Sequence, residues 1–171
     1  MLTKVLLAVA VGLATSACST LQCQTGPAND VAAVEAVVER FRVALVERDK
    51  PAYMSLFFSD KAEEIGWQAV VDDAQLRAIR LNRPQAIKAR RIPTNNFVSL
   101  IDGIVLNTVA EEERISNVCV NTDGEVASVV FDYAYASAGR TTSRGSEHWQ
   151  LIRTEGGWKI YSVIYSIRDP S

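Results

Sequence analysis

The chain has 171 residues, of which 48% are hydrophobic and 22% charged, so it is long enough for one globular domain with an apolar core. Its 18 basic and 20 acidic residues nearly balance, and this composition does not favour nucleic acid as a partner. The single histidine, and the lack of any Cys-x-x-Cys pair, P-loop, nucleophile elbow or glycine-rich dinucleotide motif, leave no pattern for a metal or a cofactor. We therefore predict neither.

Residues 1–18 have the layout of a secretory signal. Lys4 supplies one positive charge, an apolar run of about ten residues follows, and small residues lead to Cys18. Such a run is too short to span a bilayer. The alternative is a short buried helix, which would have to leave Lys4 and a Ser/Thr cluster at its ends. We therefore predict an exported protein.

The signal ends in one of two ways. The stretch Ala-Thr-Ser-Ala before Cys18 resembles a lipobox, although Thr15 stands where such boxes usually carry Leu. Lipidation of Cys18 would anchor the protein to a membrane of the cell envelope, whereas cleavage after Ala17 would leave it soluble in the periplasm or secreted. We predict the lipid anchor, a polar tether over residues 19–29 and a single domain over residues 30–171.

Two further cysteines, Cys23 and Cys119, form an even pair once Cys18 is acylated. They either form a disulfide that ties the tether to the domain, or Cys119 is a buried strand residue and Cys23 is free. The spacing does not decide between these.

The first half of the domain is predicted to be mainly helical. A helix capped by Asn29 or Asp30 carries apolar residues along one face, and Pro51 opens a short helix that runs through Phe57. A strand over residues 65–71, a helix over 72–80, a helical piece after Pro84 and a helix capped by Thr94 follow.

Six basic residues lie between positions 77 and 91. They form either a patch for an anionic lipid or acidic ligand, or a solvated helical face balanced by Asp72 and Asp73. The set comprises Arg77, Arg80, Arg83, Lys88, Arg90 and Arg91.

The second half predicts four consecutive antiparallel strands over residues 114–121, 125–136, 141–153 and 158–167. Glycine-bearing turns separate runs of β-branched and aromatic residues, which is the usual hairpin signal. Helices followed by a meander predict an α+β fold with the helices on one face of the sheet.

Several segments resemble the nuclear-transport-factor-2-like (SnoaL-like) superfamily. They are the opening helix, the strand from Glu125 to Tyr135, the sequence Gly-Ser-Glu-His-Trp that begins at Gly145, and the closing Gly-Gly-Trp-Lys-Ile that begins at Gly156. The resemblance spans residues 30–168. It implies a cone-shaped curved sheet packed on N-terminal helices, a fold that hosts isomerases, hydrolases, dehydratases and binding domains alike.

The strand register predicts a pocket on the inner face of the sheet. A four-residue final turn places Leu151 opposite Ile160, Trp149 opposite Ser162 and Glu147 opposite Ile164. The apolar set of the preceding strand joins this face. The predicted pocket residues are Phe131, Tyr135, Trp149, Ser162 and Ile164.

Glu147 is the candidate catalytic residue, with Tyr133 beside it. A desolvated carboxyl has a raised pKa, which suits a general acid or base near neutral pH. Tyr133 is expected near Gly145, whose missing side chain would leave room for a ligand. The resemblance adds that ketosteroid isomerases carry an acidic residue at the corresponding inward position. Alternatively, Glu147 pairs with Arg114 or Arg153 at the pocket rim.

The other face of the sheet is a candidate homodimer interface, which the resemblance also implies. The register places His148 on this face, so we expect it at an interface or surface rather than in catalysis. The dehydratases of the superfamily would be expected to use more than one histidine. The predicted set is His148, Gln150, Tyr161, Val163 and Tyr165.

Two functional hypotheses remain open. The first is a binding domain whose pocket holds a small apolar or aromatic molecule, or whose sheet docks a protein partner. The second is an isomerase- or hydrolase-type enzyme that uses Glu147 as acid and base with Tyr133.

Overall fold

The computed structural model describes residues 23–170. The predicted signal segment over residues 1–18, with Cys18, and the first part of the tether lie outside the described residues. Within the described part, no helix is both long and apolar enough to cross a membrane.

The longest helix, α1, spans Ala28–Glu47 and buries one apolar face. Asn29 and Asp30 do not cap it, contrary to prediction, because the helix already begins after Pro27. Asp30 instead binds the guanidinium of Arg153 at 3.0 Å. The helix ends at Arg48, whose φ of 58° is left-handed and whose N–H bonds back to the last turn.

Three shorter helices follow, and each is capped by an aspartate or asparagine. They are α2 (Lys50–Met54), α3 (Asp73–Asn82) and α4 (Phe97–Leu106). Helix α2 stops before Phe57, and Asn96 rather than Thr94 caps α4, through a capping box with Ser99. The prediction of a helical segment after Pro84 is wrong, since residues 83–92 form turns and irregular chain.

Five strands of the described part form one sheet in the order β1-β5-β4-β3-β2. They are β1 (Gly66–Val71), β2 (Glu111–Thr122), β3 (Val126–Ser137), β4 (Arg140–Thr154) and β5 (Gly157–Ile167). The four last strands form the predicted antiparallel meander, and β1 runs parallel to β5. The predicted α+β fold with helices on one face is confirmed.

The apolar core lies between the sheet and α1, α2 and α4. The fully buried ring of Trp149 contacts Phe41 of α1 and Phe131 of β3, at centroid distances of 4.9 and 5.0 Å. Leu151 and Ile160 continue this layer. The inward face predicted for β3 and β4 is therefore confirmed.

The prediction of which side chains of β5 face inward is wrong for the residues after Ile160. Leu151 lies opposite Ile160 as expected, but a bulge follows, so Trp149 pairs with Val163 and Glu147 with Tyr165. One extra residue in β5 turns every later side chain to the other face. Val163 is consequently fully buried rather than on the second face.

The N-terminal segment of the described chain is attached to the edge of β2. Cys23 and Cys119 are paired as a disulfide with a Cα–Cα distance of 5.0 Å, and the N–H of Thr25 donates to the carbonyl of Val120 at 3.0 Å. Gly26 has a φ of 125°, and a Cβ there would lie 2.2 Å from the carbonyl oxygen of Thr122. Residues 23–29 thus belong to the domain and not to a free tether.

Candidate functional site

A cavity of about 390 Å³ lies between the inner face of the sheet, helix α4 and the loop before it. Its lining combines aromatic side chains, hydroxyl groups and two carboxyl groups. The lining residues are Trp67, Thr94, Asn95, Ser99, Leu100, Glu113, Tyr133, Tyr135, Ser143, Glu147, Tyr165 and Ile167.

Glu147 occupies the inward position that the strand pattern predicted. Its side chain is 5% exposed, and one carboxyl oxygen accepts a 2.6 Å hydrogen bond from the indole N–H of Trp149. The alternative ion pair at the rim is not formed, because Arg114 binds Glu112 and Arg153 binds Asp30. Glu147 therefore faces the cavity with a hydrogen bond but no basic partner among the described residues.

A second carboxyl group, Glu113, lines the same cavity and was not predicted. It stands on β2 opposite Tyr135 and is 4% exposed. Its Oε1 atom is buried and has no hydrogen-bond partner within residues 23–170. A signal was present: counting back by two from the inward Ile115 places Glu113 on the inner face, although the run Glu-Glu-Glu-Arg is typical of a solvated edge.

Burial dominates the ionisation of both carboxyl groups. It raises the pKa of Glu147 to about 7, against the lowering effect of the Trp149 hydrogen bond. Burial also raises the pKa of Glu113 well above its usual value, and the charge of Glu147 raises it further. Burial therefore favours the protonated form of both carboxyl groups.

Tyr133 lies opposite Gly145, as predicted, but the expected space for a ligand is not there. A Cβ on Gly145 would lie 2.0 Å from the carbonyl oxygen of Ser166 and 2.8 Å from the Tyr133 ring. The phenol donates its proton to that carbonyl at 2.9 Å, and burial raises its pKa. The missing side chain of Gly145 thus leaves room for the Tyr133 ring and the neighbouring backbone rather than for a ligand. The phenol proton is used in a hydrogen bond within the protein.

The remaining walls are largely aromatic. Tyr165 lies edge-on to both Trp67 and Tyr133, at centroid distances of 5.7 and 6.4 Å. The amide of Asn95 approaches the Tyr165 hydroxyl at 3.5 Å. Burial raises the pKa of Tyr165, against the smaller lowering effect of a hydrogen bond with the Trp67 indole. The cavity therefore offers ring surfaces beside the two carboxyl groups.

The structure sorts the predicted pocket residues into three groups. Tyr135, like Tyr133 and Glu147, lines the cavity, whereas Phe131 and Trp149 are buried in the core behind it. Ser162 and Ile164 do not line it, and Ile164 is 51% exposed on the opposite face. The bulge in β5 is the physical reason for this correction.

His148 lies on the exposed outer face, between Val130 of β3 and Ile164 of β5. Over residues 23–170, no group of three or more His, Cys, Asp or Glu side chains is placed to hold a metal ion. The predicted interface set is corrected, since Val163 and Tyr165 face inward while Tyr161 is 46% exposed.

The sequence matches no protein-family model and no curated protein. Its fold is similar to solved structures. A candidate scytalone dehydratase from Novosphingobium aromaticivorans aligns with a TM-score of 0.58 at 14% identity, covering 82% of this chain and 85% of that chain. A nuclear-transport-factor-2-like protein with a cystatin-like fold from the same organism aligns with a TM-score of 0.55 at 14% identity, over 84% of each chain.

A further nuclear-transport-factor-2-like protein, of unknown function, comes from Silicibacter pomeroyi. It aligns with a TM-score of 0.50 at 20% identity, covering 82% of this chain and 97% of that chain. At such identities the similarity establishes the fold: the domain has the nuclear-transport-factor-2-like fold that the sequence resemblance implied. A shared fold does not establish a shared function.

Proposed function

We propose that this domain binds a small ring-containing molecule in the cavity between the sheet and α4. The observation that carries the proposal is a cavity of about 390 Å³ whose apolar walls hold two buried carboxyl groups. Small-molecule sites are concave, mostly apolar and supplied with a few polar groups that orient the ligand.

An unsatisfied carboxyl oxygen supports a ligand rather than an imperfect core. Buried polar groups in native proteins nearly always have hydrogen-bond partners. Here Oε1 of Glu113 has none among residues 23–170, and Glu113 lines the cavity. A bound molecule with a polar group would supply the missing partner.

The test uses a neutral fluorescent probe, N-phenyl-1-naphthylamine, titrated into the full chain. Leu100 lines the cavity from α4, so Leu100→Trp should fill it and weaken probe binding by roughly tenfold or more, since the site loses its volume. Leu106→Trp is the matched control, because Leu106 belongs to the same helix and is 84% exposed. Equal probe binding by both variants would contradict the proposal.

A second candidate function is proton transfer by Glu147. The specific observation is a carboxyl group whose pKa is raised to about 7 and which faces a cavity. A pKa near the working pH is the property that general acid–base catalysis requires. The acid–base group would be the carboxyl pair, since the only histidine lies on the outer face.

Nitrobenzisoxazole tests this second candidate without knowledge of the natural substrate. A carboxylate removes the ring C–H proton, the electron pair forms a nitrile, and the N–O bond breaks to release a phenolate. The rate should rise with pH to a plateau above about 7 and fall about tenfold or more in Glu147→Gln. Glu112→Gln should leave it unchanged. A rate independent of Glu147 would exclude this function.

We also propose that the protein is exported and anchored through a lipid on Cys18. The signal-like sequence of residues 1–18 supports export, and so does the Cys23–Cys119 disulfide, because such bonds persist in oxidising compartments. Cys18→Ala should move the protein from the membrane fraction to the soluble exported fraction. If the wild-type protein is already soluble after export, lipidation is wrong and the signal is removed by simple cleavage.

A further inference from the structure

We propose that the ligand is an organic cation, either a protonated amine or a quaternary ammonium, held by Glu113, Glu147 and the surrounding aromatic rings. This inference rests on the proposed binding function and specifies the chemical class of the ligand.

Charge balance is the first argument. Two carboxyl groups line the cavity, and its lining residues include no Lys, Arg or His. The titratable groups that face the pair from the packed elements are phenols: Tyr53 from α2, Tyr133 and Tyr135 from β3, and Tyr165 from β5. A cationic ligand would supply the countercharge that these elements do not.

The neighbouring basic side chains are engaged elsewhere. Arg114, next to Glu113 on β2, forms its ion pair with Glu112, and Lys50 at the start of α2 forms one with Asp102 of α4. A buried carboxylate without a counterion is costly, whereas a paired one is tolerated. Filling the cavity with a cation would remove this cost, while an anionic ligand would add to it.

Glu113 supplies the second, independent observation. Its side chain is 4% exposed, and Oε1 has no hydrogen-bond partner within the described residues. An ammonium N–H, or the polarised methyl groups of a quaternary ammonium, would approach this atom from the cavity. A charged donor on a carboxylate makes one of the stronger hydrogen bonds found in proteins.

The aromatic walls favour an organic cation over a metal ion. Trp67, Tyr165 and Tyr133 form a continuous row of rings along the cavity, and ring faces attract ammonium groups. Over residues 23–170 the side chains include no three-ligand metal cluster. Rings beside two carboxyl groups match a cation with an apolar surface.

The experiment compares benzyltrimethylammonium with its neutral carbon isostere, neopentylbenzene, as competitors of N-phenyl-1-naphthylamine on the full chain. At about pH 8, the cation should displace the probe at a concentration at least about tenfold lower than the isostere. This preference should weaken at about pH 5, because protonation of the carboxyl groups removes the negative charge that favours the cation.

Three variants locate the effect. Glu113→Gln and Glu147→Gln keep the volume of the side chains, and each should lower the preference for the cation by about tenfold while leaving displacement by neopentylbenzene unchanged. Glu112→Gln, on the same strand and paired with Arg114, should change neither.

The outcomes separate this inference from the proposed function. Equal displacement by cation and isostere would overturn the organic cation and leave the ligand cavity standing. Failure of the cation to displace a probe that does bind would overturn it as well. If Leu100→Trp does not weaken binding of the probe, the cavity proposal and this inference are both wrong.

Discussion

The inner face of the sheet divides into two halves that differ in how the helices cover it. The closed half carries Val120, Val129, Trp149, Leu151 and Ile160, all buried under α1 and α2. The open half carries Glu113, Tyr133, Tyr135, Glu147 and Tyr165, which line the cavity beside α4.

Bulges interrupt two of the strands that cross both halves. The register of β2 shifts between Ser116 and Cys119, where Asn117 adopts a φ of 55°, and that of β5 shifts next to Leu151. Bulges bend and twist a sheet locally. The bent part of the sheet then diverges from helices that would otherwise pack against it. The same strands therefore form a filled core under α1 and α2 and a cavity beside α4.

Matched leucine truncations test this division and have the largest expected effect. Leu151 in the closed half is 1% exposed, so Leu151→Ala should lower the free energy of unfolding by about 2–5 kcal/mol. Leu100 borders a space that already exists, so Leu100→Ala should cost only about 1 kcal/mol. Urea denaturation measures both, and equal losses would show that the halves are packed alike.

The open half should also make stability depend on pH. Because burial raises the pKa of Glu147 from 4.5 to about 7, the native state holds a proton that the unfolded chain releases. This stabilisation is complete below about pH 4.5 and is lost as the pH rises through 7, a change of about 3 kcal/mol. Glu113 acts in the same direction.

Glu147→Gln preserves an acceptor for the Trp149 N–H and should flatten this pH dependence. Urea denaturation across the same pH range, with Glu112→Gln as the control, measures it. An unchanged slope in Glu147→Gln would assign the pH dependence to other groups.

How much of this could be predicted from the sequence differs between the two halves. Alternation along β3 and β4 placed Phe131, Tyr133, Glu147 and Trp149 inward because those strands alternate cleanly. The closed half follows from that pattern, and so does the position of Glu147.

The open half could not be predicted from the alternation of polar and apolar residues alone. Strand β5 is apolar or aromatic on both faces, so alternation alone could not reveal the bulge; the three-residue step from Ile160 to Val163 was the available sign. Glu113 was hidden because a run of acids is normally solvated, and only its strand position reveals its burial. Side chains that lie in an environment unusual for their type, such as a buried glutamate, are the ones that mark a site.

The smallest effect on stability is expected at the outer surface of the open half, which we propose as a homodimer interface. Ile164 is 51% exposed there beside His148, so Ile164→Glu should change the free energy of unfolding of the monomer by only about 0.5 kcal/mol. The new carboxylates would repel one another across a two-fold axis and shift the protein toward monomer. Sedimentation measures this shift, and a wild-type protein that is already monomeric would contradict the interface.

The most direct test of the buried carboxyl pair is the titration of Glu147 itself. Carbon-13 NMR of the side-chain carboxyl in the full chain, assigned by the loss of its signal in Glu147→Gln, gives the midpoint without any ligand or substrate. We predict a midpoint at a pH of about 7. A midpoint near 4.3, the value of a solvated glutamate, would contradict a desolvated carboxyl at the cavity, and with it the site on which both proposals depend.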